Sequence, residues 1–158
     1  MQTPRTIIAA IDPYDDHSRR ILQTAKMLAD KFDASLSLLA VAPPIPPSAA
    51  VTPIGHEAAL APLEDMDTAH EKQRLRYQTA LEGIADSAGC GAGEQVVLTG
   101  AVDEEICRYA NRLRADLLVI GAHRRKFLGK LLTPSTSKRV AAKAPCAVYL
   151  VPEVEDEK

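Results

Sequence analysis

The chain contains no tryptophan, only two phenylalanines and four tyrosines. That leaves little aromatic surface for stacking bases, and together with a formal net charge of -2 it argues against a general nucleic-acid binder. Cysteine is scarce as well. Cys90, Cys107 and Cys146 are odd in number, widely spaced and form no CxxC, so neither a disulfide framework nor a zinc site is indicated, and free, mostly buried thiols are expected. No apolar run approaches the ~18 to 20 residues needed to cross a bilayer, so no membrane span is expected. The apolar part of MQTPRTIIAAID is too short for a signal peptide, which makes the cytoplasm the expected location. Catalytic signatures are missing too: there is no HIGH-type sequence, no SGGxDS-type phosphate loop, no G-x-S-x-G elbow, no P-loop and no H-E-x-x-H. No catalytic residue and no metal ligand is assigned, and the expectation is a protein that is not an enzyme. Slow ATP hydrolysis would be an inference from fold alone.

What the sequence does have is enough apolar material for a core. Of its 158 residues 46% are hydrophobic and 25% charged, which suits one domain over residues 1–152 followed by an acidic tail, 153–158. Thr6 to Ile11 (TIIAAI) is almost wholly apolar, as a strand buried on both faces should be. Asp12 ends it, and Asp15, Asp16 or Ser18 can cap the helix that follows, whose apolar stripe is Ile21, Leu22, Ala25, Leu28, Ala29 and Phe32. Ser35 to Val41 reads as the second strand. Residues 42–63 then hold six of the eleven prolines, a density no regular element survives, and read as a long excursion whose His56 and Glu57 are solvated. A long helix from Glu64 to Ala88 buries Tyr77, Leu81, Ile84 and Ala88; Gln95 to Thr99 is a third strand; Ala101 to Arg114 is a helix with acids in its first turn. Ala115 to Ile120 is the fourth strand, a short helix begins at Ser135 or Ser137 and runs to Lys143, and Cys146 to Val151 is the last strand.

This alternation predicts a doubly wound α/β domain, Rossmann-like, with a five-stranded parallel sheet and helices on both faces; periodicity does not fix the strand order, which is taken as 3-2-1-4-5. In such sheets ligands sit at the carboxyl ends of the strands where the order reverses. For this order the crevice lies between strands one and four, whose exits are Asp12 and Gly121, with Val41 as their neighbour. Gly121 also opens a stretch to Val140 that carries six Lys or Arg residues (Arg124, Arg125, Lys126, Lys130, Lys138, Arg139) and no acid. Such a local excess points to an anion. Ser135, Thr136 and Ser137 add hydroxyls and a helix N-terminus, and His123 is either a ligand contact or a local hydrogen-bonding group. Asp12 has two readings, a cap on the turn into the first helix and a ligand contact.

The strand ending in Asp12, the exit ADLLVIGAH, the helix AVDEEICRYA and the closing KAPCAVYLV together resemble the universal stress protein family over essentially the whole chain. The resemblance implies the same fold, a homodimer joined through the last strand (146–151), and one of two subclasses. One binds ATP through G-x-x-G, nine residues, then G-[S/T]; the other lacks that motif. On the motif, Gly121 matches the first glycine, Arg124 stands at the second, Pro134 at the third and Ser135 at the hydroxyl position. Glycines let a backbone approach phosphates closely and each amide of such a nest is a donor, whereas Pro134 has no N–H. The expectation is therefore a homodimeric regulatory protein of the stress response that acts on a protein partner without conventional ATP binding. The alternative is a nucleotide sensor that uses the 121–136 loop with ATP and Mg, its site formed by Asp12, Val41, Gly121, His123, Arg124, Ser135 and Thr136.

Overall fold

Strand β1 (Thr6–Ile11) lies at the centre of a five-stranded parallel sheet whose order is β3-β2-β1-β4-β5, which matches the expected 3-2-1-4-5. The computed structural model describes residues 2–46, 65–122 and 136–154. Along the chain β1 is followed by α1 (Ser18–Phe32), β2 (Ser35–Ala42), α2 (Met66–Ser87), β3 (Glu94–Thr99), α3 (Val102–Arg112), β4 (Leu117–Ala122), α4 (Thr136–Lys143) and β5 (Ala147–Pro152). Residues 47–64, which include most of the proline-rich excursion with His56 and Glu57, and residues 155–158 of the acidic tail lie outside the described residues.

Side chains of a strand alternate between faces, and here the alternation sorts the core into two layers. Ile7, Ala9 and Ile11 of β1 pack with Ile21, Leu22 and Ala25 of α1 and with Leu81 and Ala85 of α2. Ile8 and Ala10 pack on the opposite face with Ile106, Tyr109 and Ala110 of α3 and with Val140 of α4. Both faces of β1 are buried, which is why its sequence is a continuous apolar run rather than an alternating one. The one polar residue buried within β2, Ser37, shares a 2.8 Å hydrogen bond with the hydroxyl of buried Tyr109.

Strand four begins and ends later than its apolar residues suggest, at Leu117 rather than Ala115 and at Ala122 rather than Ile120. Asp116 explains the start. Its carboxylate accepts the Arg5 and Thr6 N–H groups at 2.8 and 3.0 Å, and its own N–H donates to the Thr6 carbonyl, so it bridges two strand entries instead of lying in a ladder. Pairing with the last strand explains the end, because the ladder to β5 continues through Gly121↔Val151 and Ala122↔Pro152. The cysteines are free as expected, with Cys90 buried and Cys107 and Cys146 half-buried.

Candidate functional site

The crevice at the switch point comes from how β1 pairs. Its ladder with β2 runs the full length from Thr6 to Ile11, but its ladder with β4 runs from Ile7↔Leu117 to Ala9↔Val119 and stops. Beyond Ala9 the two strands part, and a cavity of about 260 Å³ opens over their carboxyl ends.

The turn from Asp12 to Ser18 forms one side of it and is braced by its own polar groups. Asp12 Oδ1 accepts the Tyr14 N–H at 3.0 Å, and the Asp12 carbonyl accepts the Asp15 N–H and the Ser18 hydroxyl. Asp15 Oδ1 accepts the His17 N–H at 2.9 Å. None of the three proposed caps therefore caps α1 in the usual way: the helix starts after His17 without a side-chain cap, and Asp15 and Ser18 tie the preceding turn instead. Asp12 holds the turn through the Tyr14 N–H and lines the cleft. His17 Nε2–H donates to the Val151 carbonyl at 3.0 Å, which lays its ring across the exit of β4. A Cβ on Gly121 would lie 2.8 Å from Ile21 Cδ1 and 3.1 Å from His17 Cδ2. The glycine at the strand exit thus has a packing reason that is independent of any ligand.

The cavity has two kinds of wall. Leu39, Val41, Ile106, Ile120 and Val140 give it an apolar wall on the α3 and α4 side, while Asp12, Asp15, Ser18 and Tyr77 give it a polar one on the α1 and α2 side. No Lys or Arg lines it among the described residues. Thr136 and Ser137, at the start of α4, reach its edge, and α4 is held there by Asp103, whose carboxylate lies 3.2 Å from Arg139 Nε and 3.6 Å from Lys143 Nζ. Burial opposes ionisation of Asp103, yet the Arg139 charge, a backbone hydrogen bond and Lys143 outweigh it and hold the carboxyl below its usual range. Burial, and after it the charge of Asp12 and the neighbouring Tyr14, push the Tyr77 phenol up, so it keeps its proton and can donate.

Of the site residues expected from sequence, Asp12, Val41, Gly121 and Thr136 come together around this cavity. His123, Arg124 and Ser135 lie outside the described residues, as do Arg125, Lys126, Lys130 and Pro134. Arg139, one of the two basic residues described in that stretch, serves the ion pair with Asp103 rather than the cleft lining. Ser137 reaches the edge beside Thr136, as its hydroxyl suggested. Sequence reasoning read Asp15 and Ser18 only as caps, and above all it missed Tyr77, which it read as one more member of the α2 apolar stripe. The hydroxyl was the one feature that set Tyr77 apart on that stripe. The described residues hold no cluster of His, Cys, Asp and Glu suited to a metal, and none of their helices is long and apolar enough to cross a membrane.

The model of the universal stress protein family matches residues 3–152. The chain belongs to that family. A universal stress protein of Thermus aquaticus is 32% identical over 147 residues, 93% of this chain and 98% of that one. A universal stress protein solved in complex with cAMP superposes with a TM-score of 0.66 at 19% identity, covering 95% of this chain and 98% of its own. The universal stress protein of Archaeoglobus fulgidus in complex with dAMP gives a TM-score of 0.57 at 20% identity, covering 94% and 98%. At these identities the two structures speak for the universal stress protein fold, and the family places the chain in the stress response.

Proposed function

We propose that this universal stress protein is a homodimeric, non-catalytic regulator in which the cleft takes an adenine nucleotide with a short phosphate chain, and which acts through a protein partner. The cleft carries this reading. Its apolar wall suits the faces of a planar base, its other wall offers hydroxyls and carboxylates, and its roughly 260 Å³ is below the ~300 to 1,000 Å³ of most ligand pockets. Base and sugar fill such a volume. Asp12 and Asp15 also repel phosphate from the polar wall and direct it towards Gly121 and Thr136. In sequence, Pro134 stands at a glycine position of the ATP motif and has no N–H to offer a phosphate. Fold neighbours held with cAMP and with dAMP, each a nucleotide with one phosphate, lend support.

The dimer reading rests on the sheet edge. Among the described residues β5 pairs with β4 alone, and Tyr149 and Leu150 on it are 42% and 45% exposed, with Val154 beyond them at 58%. An uncharged apolar edge of this kind calls for a cover, and a second copy pairing through residues 146–151 supplies one.

Thermal unfolding with equal concentrations of AMP, cAMP and Mg-ATP tests the nucleotide. A nucleotide present at a hundredfold excess over its dissociation constant adds about 2.7 kcal/mol to stability, and AMP is expected to do so without Mg-ATP doing more, with cAMP, whose 3′-oxygen is esterified, doing less. Absence of any shift removes nucleotide from the reading, and a larger shift with Mg-ATP replaces it with the ATP sensor built on the 121–136 loop. Light scattering tests the dimer, which Leu150→Lys is expected to convert to monomer; a wild-type monomer at all practical concentrations overturns it.

A further inference from the structure

Packing does not require a tyrosine at position 77. α2 is anchored by Leu81 and Ala85, both fully buried, and a phenylalanine at 77 would rest on the same core cluster. Tyr77 lines the cleft with Asp12 and Ser18, and its phenol feels the Asp12 charge. The ring is held in one plane by Tyr14, which meets it edge-on with centroids 5.1 Å apart and 81° between the planes. Among the described residues the Tyr77 hydroxyl has no hydrogen-bond partner. Asp12 spends one carboxylate oxygen on the Tyr14 N–H and has the other to offer.

The pair is thus a carboxylate oxygen that accepts and a phenol that donates or accepts, on one wall of a cleft whose opposite wall is apolar. Vicinal sugar hydroxyls match it: each is donor and acceptor, both are neutral, and they lie between a base that prefers the apolar wall and a phosphate that carboxylates repel. We infer that Tyr77 is a specificity-determining residue which, together with Asp12, reads the 2′- and 3′-hydroxyls of a bound nucleotide and so selects ribonucleotides over 2′-deoxyribonucleotides. This rests on the nucleotide reading of the cleft. Asp12 takes one hydroxyl proton while Tyr77 bonds the neighbouring oxygen, and removal of the 2′-hydroxyl leaves one of the two unpaired.

Calorimetric titration of the full chain with AMP and with 2′-deoxy-AMP, repeated with Tyr77→Phe, tests it. The wild type is expected to bind AMP about tenfold more tightly than 2′-deoxy-AMP, and Tyr77→Phe to weaken AMP about fivefold while leaving 2′-deoxy-AMP nearly unchanged. The substitution keeps the ring, the contact with Tyr14 and the packing on α2, and an unchanged thermal midpoint verifies that. Equal affinity of the wild type for both nucleotides, or an AMP preference that survives Tyr77→Phe intact, overturns the inference and leaves the nucleotide site standing. Failure of the wild type to bind either nucleotide overturns the nucleotide reading itself.

Discussion

Where helices end, at the amino ends of the strands, the backbone is closed off completely; where they begin, at the carboxyl ends, it is left open. α1, α2 and α3 each turn back through a left-handed residue, Asp33, Gly89 and Arg114, with φ of 53°, 73° and 51°. After each, the next N–H reaches five residues back: Ala34 to the Ala29 carbonyl, Cys90 to Ala85, Ala115 to Ala110. Asp116 and Ser35 then tie the strand entries to residues 5 and 6. At the other end none of these three helices has a side-chain cap. Asp12, Asp15, Ser18 and Tyr77 stand there instead, on the wall of a cleft. The difference teaches where the chain's polar groups are committed: to the strand entries at one end, to a braced turn on the wall of an open cleft at the other.

The comparison can be broken most severely at Gly121. Open though the cleft is, its rim is tightly packed, and Gly121→Val drives new carbons into Ile21 and the His17 ring, with an expected loss of about 2 kcal/mol in urea denaturation. An unchanged midpoint would mean that the rim is slack. At the closed end the strained residues offer a gain. Arg114→Gly is expected to stabilise by about 1 kcal/mol, and Asp33→Gly by less because Asp tolerates the left-handed region better, both read as a higher urea midpoint at constant slope. A lower midpoint for Arg114→Gly would show its side chain contributing more than its backbone costs. The smallest effect is expected at Asp116. The Arg5 and Thr6 N–H groups hold its carboxyl below the ordinary 3.8, so its contribution is present above that value and is lost as pH falls through the depressed folded pKa. Asp116→Asn should therefore flatten the acid limb of the stability profile below about pH 4, and an unaltered limb would remove Asp116 from the closure of that end.

The fold was legible because the strands are apolar runs and the helices carry single stripes. The buried residues Ile21, Leu22, Ala25, Ile106, Tyr109 and Ala110 all lie on the stripes read from spacing. Strand four slipped because hydropathy cannot distinguish a residue in a ladder from one whose carboxylate holds a neighbouring strand, as Asp116 does. In the cleft, Asp12, Val41 and Gly121 followed from topology alone, since strand exits at a reversal must meet. Tyr77 could not follow. It arrives from a helix on the sheet's other layer, and periodicity registers its ring but says nothing of its hydroxyl.

The absence of tryptophan has a practical side. The four tyrosines are the chain's only strong intrinsic fluorophores, and the fold has dispersed them: Tyr14 and Tyr77 at the cleft, Tyr109 in the core, Tyr149 on the outer strand. Under the proposed function the cleft pair would report nucleotide entry, Tyr109 unfolding and Tyr149 association. Single Tyr→Phe replacements would separate their emission, and the protein would then monitor its own three equilibria without a label.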